Sequence, residues 1–374
     1  MSKYPPAISK QLKTGKPKNS NSSGATSLFN RVSEKAIIDF TRSLAVMIRA
    51  RVPLVQALDT NIELVDNQKL EGILRKVRKD VSGGTSLARS LATHGKVFDD
   101  FYIHLVRVGE AAGILDEVLL RLSSYKEKRY ALKKKIQSAL MYPALVVTVA
   151  LCALVFLLLF VIPNFADMYS DFNAKLPAAT QFVLNLSHGL SHYFFVIVAG
   201  VSLLVFGFRK YAQSPNGRRR IDALKIRLPY FGDLYLKTLI VRFCQTLGTL
   251  LKSGITLVES LEILKKSSGN VVIEKATDDM VSSVKKGKSI KDTFNQSRIF
   301  PPMVVQMVTV GEETAELDEM MLHIAKLYDE EVDVAIQSFT SVIEPALIVV
   351  LGILLGGIIV SMYLPIFQLM NVIH

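Results

Sequence analysis

Residues 144–162 read ALVVTVALCALVFLLLFVI, nineteen residues with no charged side chain between Pro143 and Pro163. A helix needs about 20 apolar residues to cross the hydrocarbon core of a bilayer. Similar stretches occupy 189–208, interrupted by His192, and 345–363. Hydrophobic residues make up 50% of the chain, and its mean hydropathy is +0.32. The sequence therefore predicts an integral membrane protein with three transmembrane helices, at 143–163, 189–208 and 343–364.

Lysine and arginine flank these spans unevenly. They crowd the approach to the first span and the exit from the second: Lys126, Lys128, Arg129, Lys133, Lys134 and Lys135, then Arg209, Lys210, Arg218, Arg219 and Arg220. Residues 164–188 contain only Lys175 among lysines and arginines. Because these residues concentrate on the cytoplasmic side, we expect both long polar segments and the amino terminus in the cytoplasm. The short loop 164–188 and the tail 365–374 are expected in the periplasm, and residues 126–135 beside lipid headgroups.

Residues 37–168 and 240–370 repeat one pattern. At a separation of 203 residues, six residues of the first copy have identical counterparts in the second: Phe40 and Phe243, Leu44 and Leu247, Leu54 and Leu257, Leu58 and Leu261, Gly84 and Gly287, and Ser86 and Ser289. At a separation of 202 residues, six more pairs are identical: Gly109 and Gly311, Glu110 and Glu312, Leu115 and Leu317, Asp116 and Asp318, Pro143 and Pro345, and Pro163 and Pro365. Such a register predicts a parallel repeat, in which the equivalent first and third spans cross in the same direction.

Each copy shows helical periodicity, with apolar stripes beginning at Phe40 and Phe243. Thr256 and Glu259 form a capping box, and Ser86 and Ser289 are candidate N-caps. We therefore predict an all-α protein with two homologous cytoplasmic bundles of four or five helices, at 37–142 and 209–342. Residues 1–36 are predicted to form a disordered basic cytoplasmic tail, since the first 30 carry five lysines and no acid.

Nothing in the pattern predicts an enzyme. The sequence contains neither a P-loop nor a His-Glu-x-x-His motif, and its two cysteines stand in unlike surroundings. We predict no catalytic, cofactor-binding or metal-binding residue. The formal net charge of +12 accumulates in the tail and beside the spans, so nucleic-acid binding is not expected.

The acidic run 311–319 has three interpretations: a docking face for a basic partner, a calcium site, or a solvated helix start where carboxylates favour the dipole. Its spacing does not match the calcium loop of an EF-hand. Only the pairs Glu110 with Asp116 and Glu312 with Asp318 are shared by both copies. They are therefore predicted to be architectural, as a cap or an inter-helix contact. In the third span, Gly352 and Gly356 form a Gly-x-x-x-Gly pair that allows close helix packing.

Several segments resemble the type II secretion F domain, and the resemblance extends over residues 37–370. They include FTRSLA at 40–45, VPLVQAL at 52–58, the Gly109-Glu110 motif with Gly113, and KIQSALMYP at 135–143 followed by Pro163. The family's motif or interface positions would be Pro53, Gly109, Glu110, Gly113, Asp116, Tyr142, Pro143, Pro163, Gly311, Glu312, Asp318, Pro345 and Pro365. The second copy departs from the pattern at Glu344 and at Thr314-Ala315.

This resemblance implies a non-enzymatic, multi-pass platform protein of a bacterial inner membrane. Its partners would be a hexameric cytoplasmic secretion or pilus ATPase, pilin or pseudopilin subunits, other inner-membrane assembly proteins, lipids and further copies of itself. Residues 52–58 favour type IV pilus assembly over type II secretion. A subunit of a small-molecule transporter is the alternative, although the spans lack the charged residues that ion-coupled transport usually requires.

Overall fold

The computed structural model describes residues 32–164, 177–228, 231–297 and 299–372, and every regular element within these ranges is a helix. The first repeat contains five helices and the start of a sixth. Their bounds are α1 Glu34–Arg49, α2 Leu54–Leu64, α3 Gln68–Ser82, α4 Leu87–Ala92, α5 Asp100–Ala112 and α6 Leu115–Phe156. Three helices follow: α7 Ala178–His192, α8 Phe194–Gln213 and α9 Pro215–Arg227.

The second repeat has the same helix order, ending in a long helix. Its bounds are α10 Phe231–Lys252, α11 Leu257–Ser267, α12 Val271–Lys285, α13 Ile290–Ser297, α14 Pro302–Glu313 and α15 Leu317–Val372. Equivalent aromatic residues occupy the two cores. Phe40 lies edge-on to Phe98, with ring centroids 6.2 Å apart, and Phe243 lies 4.9 Å from Phe300. Burying each ring contributes about 2 kcal/mol.

The first and third predicted spans are not separate helices. Pro143 lies inside α6, which continues through a π-helical turn at Leu157–Val161 to Asn164, past Pro163. Pro345 and Pro365 both lie inside α15. The predicted domain boundary at 142/143 thus falls mid-helix, because one missing hydrogen bond does not end a helix this long. Residues 365–372, predicted as a tail, continue α15.

Three helices are long and apolar enough to cross a membrane: Leu115–Asn164, Phe194–Gln213 and Leu317–Leu364. The second begins after a break at Tyr193, so the predicted span 189–208 straddles two helices. The preceding helix, α7, occupies most of the described part of the predicted loop 164–188. Residues 165–176 lie outside the described ranges.

The first domain begins slightly before residue 37. The Ser33 hydroxyl accepts a hydrogen bond from the Ala36 N–H at 3.1 Å, which starts α1 at Glu34. Capping of this kind satisfies one of the free N–H groups of a helix start. The predicted tail therefore ends by residue 33, and residues 1–31 lie outside the described ranges.

Candidate functional site

An equivalent glutamate in each repeat connects the helix that carries it to the first turn of the preceding helix. The Glu110 carboxylate accepts hydrogen bonds from the N–H groups of Leu87 at 2.5 Å and Ala88 at 2.8 Å. These are free donors of the first turn of α4, whose dipole also favours a negative charge. The side chain of Ser86 caps the same turn. Glu110 therefore fastens α5 to α4.

Glu312 makes the same connection in the second repeat. It accepts hydrogen bonds from the N–H groups of Ile290 at 2.9 Å and Lys291 at 3.2 Å, and from the Ser289 hydroxyl at 2.6 Å. Partial burial tends to raise the pKa of Glu312, but these hydrogen bonds outweigh it and lower the pKa. Glu312 thus fastens α14 to α13.

The remaining acids of the two motifs lie at helix starts or pair across helices. Asp116 and Asp318 lie in the first turns of α6 and α15. Glu319 lies 3.6 Å from Lys252 of α10. Glu313, the last residue of α14, and Glu316, directly before α15, are both exposed. Exposed carboxylates around this turn are compatible with a docking face and with a structural role.

The glycines before these turns allow close helix approach. A Cβ at Gly109 would lie 3.1 Å from Val118 Cβ, and one at Gly311 would lie 2.8 Å from Met320 Cγ. The chain then turns through left-handed backbone, where Gly113 has φ +72° and its equivalent Ala315 has φ +56°. Pro53 is the N-cap residue of α2, and its equivalent Thr256 caps α11 through its side chain.

The two bundles pack against each other. Leu250, Ile255 and Ile263 of the second repeat join the core of the first. The Tyr125 hydroxyl of α6 lies 2.9 Å from the Thr246 hydroxyl of α10. Lys135 of α6 pairs at 2.6 Å with Asp333 of α15. Movement of one bundle is therefore resisted by the other.

Lysines before the first span hold carboxylates of the bundles, which differs from the predicted role at lipid headgroups. Lys126 pairs with Asp99 at 2.6 Å and Lys133 with Glu34 at 2.7 Å, in addition to the Lys135 pair. At a rise of 1.5 Å per residue, Lys126 lies about 25 Å along α6 from Pro143. The sequence did not reveal this, because the acidic partners come from distant helices.

Helix α7 packs between the ends of the first and third apolar segments. Val183 of α7 forms a small apolar cluster with Leu158, Ile162 and Ile358. On the same face, buried Ser187 donates a hydrogen bond to the Leu158 carbonyl, and buried Thr180 donates to the Ser361 carbonyl. Helix α7 thus connects the two equivalent segments.

Both carbonyls lack their usual main-chain donor. In the π turn, the Ile162 N–H donates to the Leu157 carbonyl. The next main-chain donor that could reach the Leu158 carbonyl would belong to residue 163, which is a proline and has no N–H. The Ser361 carbonyl would normally bond to residue 365, also a proline. Since an unpaired carbonyl is costly in an apolar environment, the hydroxyls of α7 compensate for Pro163 and Pro365. Sequence reasoning missed these serine and threonine roles.

The other apolar surfaces have few contacts within the described chain. No residue of α8 is buried, and Phe195 is 85% exposed. A Cβ added at Gly352 or Gly356 would meet nothing within 4 Å, and Tyr142 is exposed. The predicted Gly-x-x-x-Gly packing face therefore points away from the described part of this chain, toward lipid or another molecule.

Within the described ranges, no group of three or more histidine, cysteine, aspartate or glutamate side chains could hold a metal ion. Cys244 is buried, and burial raises the pKa of its thiol. A buried neutral thiol is a poor nucleophile. These residues cap helices, form ion pairs between helices, or donate hydrogen bonds that prolines cannot. All three kinds of contact hold helices in place.

Comparison with known proteins gives two results. A family model described as type II secretion system protein F matches residues 40–163 and 243–365, which are the two repeats. The chain is 41% identical over 346 residues to the type IV pilus assembly protein PilC of Myxococcus xanthus, covering 92% of this chain and 83% of that protein. It is 39% identical to PilC of Pseudomonas aeruginosa, over 89% of this chain and 90% of that protein. It is 32% identical to the type II secretion system protein F of Xanthomonas campestris pv. campestris, over 90% and 84%.

Proposed function

Because this chain belongs to the type II secretion system protein F family, we propose that it moves as a lever between a cytoplasmic motor and filament subunits in the membrane. It is a non-enzymatic membrane platform protein of type IV pilus assembly or type II secretion. Identities of 41% and 39% to pilus assembly proteins, against 32% to a secretion protein, favour the pilus.

The observation that carries this proposal is the continuity of α6 and α15. Each begins inside a cytoplasmic bundle and runs without a loop into an apolar segment. A helix transmits displacement along its axis, whereas a flexible linker absorbs it. The bundles would contact a hexameric secretion or pilus ATPase, and the apolar segments would contact pilin or pseudopilin subunits. We place the chain in a bacterial inner membrane on the basis of its family. The distribution of lysine and arginine supports an orientation with bundles and amino terminus in the cytoplasm and carboxyl terminus in the periplasm.

The lever is tested by interrupting α6. A Gly-Ser-Gly-Ser insertion between exposed Gln137 and Ser138 separates bundle from span. The control is the same insertion between exposed Gly95 and Lys96, in the loop after α4. We expect the first variant to lose filament assembly at a normal membrane level, and the control to retain it. Wild-type assembly by the α6 variant would overturn the lever.

Partners are identified by purifying a tagged copy in mild detergent, followed by mass spectrometry. We expect a secretion-type ATPase and pilin-like subunits to accompany it. Both should also accompany the α6 insertion variant, because the insertion alters coupling rather than contact surfaces. Recovery of a solute-binding protein without either partner would contradict the proposed partners.

A further inference from the structure

A small cavity of about 20 Å³ lies between the two bundles, lined by α6, α10, the end of α11 and the start of α12. About half of its lining residues are apolar, including Leu239, Phe243 and Leu264, and Thr246, Ser267 and Ser268 contribute hydroxyl groups. Two guanidinium groups reach it from different repeats, Arg129 from α6 and Arg242 from α10. Like charges held together in an apolar setting repel strongly unless an anion separates them.

Burial tends to lower the pKa of Arg129, but Tyr125 and the charges of Asp99 and Glu34 outweigh it and raise this pKa. Both carboxylates are nevertheless shared with lysines. Glu34 pairs with Lys133 at 2.7 Å and Asp99 pairs with Lys126 at 2.6 Å. Neither arginine forms an ion pair with a carboxylate in the part of the chain that the structure describes. Burial, and then the charge of Arg129, lower the pKa of Arg242.

The hydrogen bonds of the site leave donors free. Thr246 donates to the Arg242 carbonyl at 2.7 Å, so the Tyr125 hydroxyl donates to Thr246. The Nε of Arg242 is buried without a partner, the one such side-chain atom among the described residues. A buried charged donor without an acceptor is costly, so this place favours an acceptor from outside the chain.

The fold itself does not require arginines here. The equivalent position of Arg129 in the second repeat is Glu331, and that of Arg242 in the first is Asp39. Glu331 pairs with Lys237 at 3.0 Å, an ordinary ion pair. The arginine pair is therefore a specific feature of the interface between the bundles.

We propose that Arg129 and Arg242 form a binding site for inorganic phosphate or the phosphate of a soluble monoester, which links the two bundles. The planar guanidinium fork matches a tetrahedral oxyanion, and such charge-assisted bonds are strong. Since the cavity now has room for about one water, phosphate enters as the two half-buried side chains swing apart. A lipid headgroup does not reach it, because Arg129 lies about 21 Å along α6 from Pro143.

The test is thermal unfolding of the full-length protein in detergent, followed by circular dichroism at 222 nm. Sodium phosphate is compared with sodium chloride at equal ionic strength. At about 100 times the Kd, phosphate should raise the Tm by roughly 5 °C. The Arg129→Gln and Arg242→Gln variants should lose this rise, and Arg219→Gln, at an exposed arginine of α9, should keep it.

Equal stabilisation by both salts, or an unchanged rise in Arg242→Gln, would overturn the site. Broadening of the ³¹P resonance of inorganic phosphate by the wild-type protein provides a second measurement if a variant does not fold, and its absence would also overturn the site. If added phosphatidylglycerol stabilises the protein and phosphate does not, the ligand is a lipid headgroup, and the proposal of a soluble phosphate ligand is refuted. None of these outcomes depends on filament assembly.

Discussion

The Ser187 hydroxyl donates its hydrogen bond to the carbonyl oxygen of Leu158, across the contact between α7 and the π turn of α6. That carbonyl is unpaired within its own helix because residue 163 is a proline. Thr180 serves the Ser361 carbonyl in the same way, opposite Pro365. Equivalent prolines each leave one carbonyl without a main-chain donor, five residues before Pro163 because of the π turn and four residues before Pro365. One short helix satisfies both carbonyls.

Replacing Ser187 with alanine should lower the free energy of unfolding by about 1 kcal/mol, since a buried carbonyl loses its donor. The control is Ser191→Ala, at an exposed position of the same helix. In a Pro163→Ala background, residue 163 regains an N–H, so the cost of Ser187→Ala should shrink. Thermal unfolding of all four combinations measures this coupling, and additive effects would contradict it.

Glu312 should make stability depend on pH. Its pKa is lowered in the folded state by the hydrogen bonds from Ser289, Ile290 and Lys291. The stabilisation is therefore fully present above the unfolded-state pKa of about 4.3 and is lost as the pH falls through the lower folded-state pKa. At pH 7, Glu312→Gln should destabilise the protein by about 1 kcal/mol, the usual value of a cap.

Denaturant unfolding of wild type and Glu312→Gln between pH 7 and pH 3 measures this difference. The two stabilities should converge at the acid end. The matched control is Glu313→Gln, since Glu313 is exposed and adjacent. A constant difference across the whole range would mean that the carboxylate charge does not contribute to the cap.

Positions 113 and 315 are equivalent in the two repeats, and exchanging glycine and alanine at them should change stability in opposite directions. Ala315 has φ +56°, a left-handed conformation that costs a residue with a Cβ about 1–2 kcal/mol. Ala315→Gly should therefore stabilise the second bundle, by up to about 1 kcal/mol after the entropy lost by glycine. Gly113→Ala should destabilise the first by a similar amount. Melting temperatures that move in the same direction for both variants would refute this.

Much of the fold follows from the sequence. The repeat register aligned Phe40 with Phe243, and both are buried in equivalent cores. Thr256 and Ser86 cap helices as their sequence context predicts, because capping depends on neighbouring residues. Three long apolar helices are confirmed.

Other features depend on contacts or helix lengths that the local sequence does not show. Pro143 is a helix-breaking residue by type, but a single missing hydrogen bond does not end a helix as long as α6. The loop 164–188 is predicted from its position between two apolar stretches, and the local sequence does not show that Thr180 and Ser187 of α7 bond to carbonyls of distant helices. Arg129 resembles a membrane flank, and only the packing of α6 against α10 places it beside Arg242.

The contact between α10 and α15 provides a prediction that joins packing to assembly. A Cβ at Gly248 would lie 2.9 Å from Leu322 Cγ and 3.0 Å from the backbone oxygen of Asp318. Gly248→Ala must therefore push α15 away from α10, at a cost of about 1–3 kcal/mol. Because α15 continues into the apolar segment, the displacement should extend along it.

We expect Gly248→Ala to reduce filament assembly more than its loss of stability explains. The equivalent residue of the first repeat is Ala45, which is fully buried, so the reciprocal control is Ala45→Gly. That exchange should cost about 1 kcal/mol in helix propensity without displacing α6, and assembly should persist. Assembly is scored by surface filaments in cells whose membrane levels of each variant are matched by immunoblot. If both variants reduce assembly in proportion to their melting temperatures, stability alone accounts for the effect, and α15 does not transmit displacement from the bundle to the membrane.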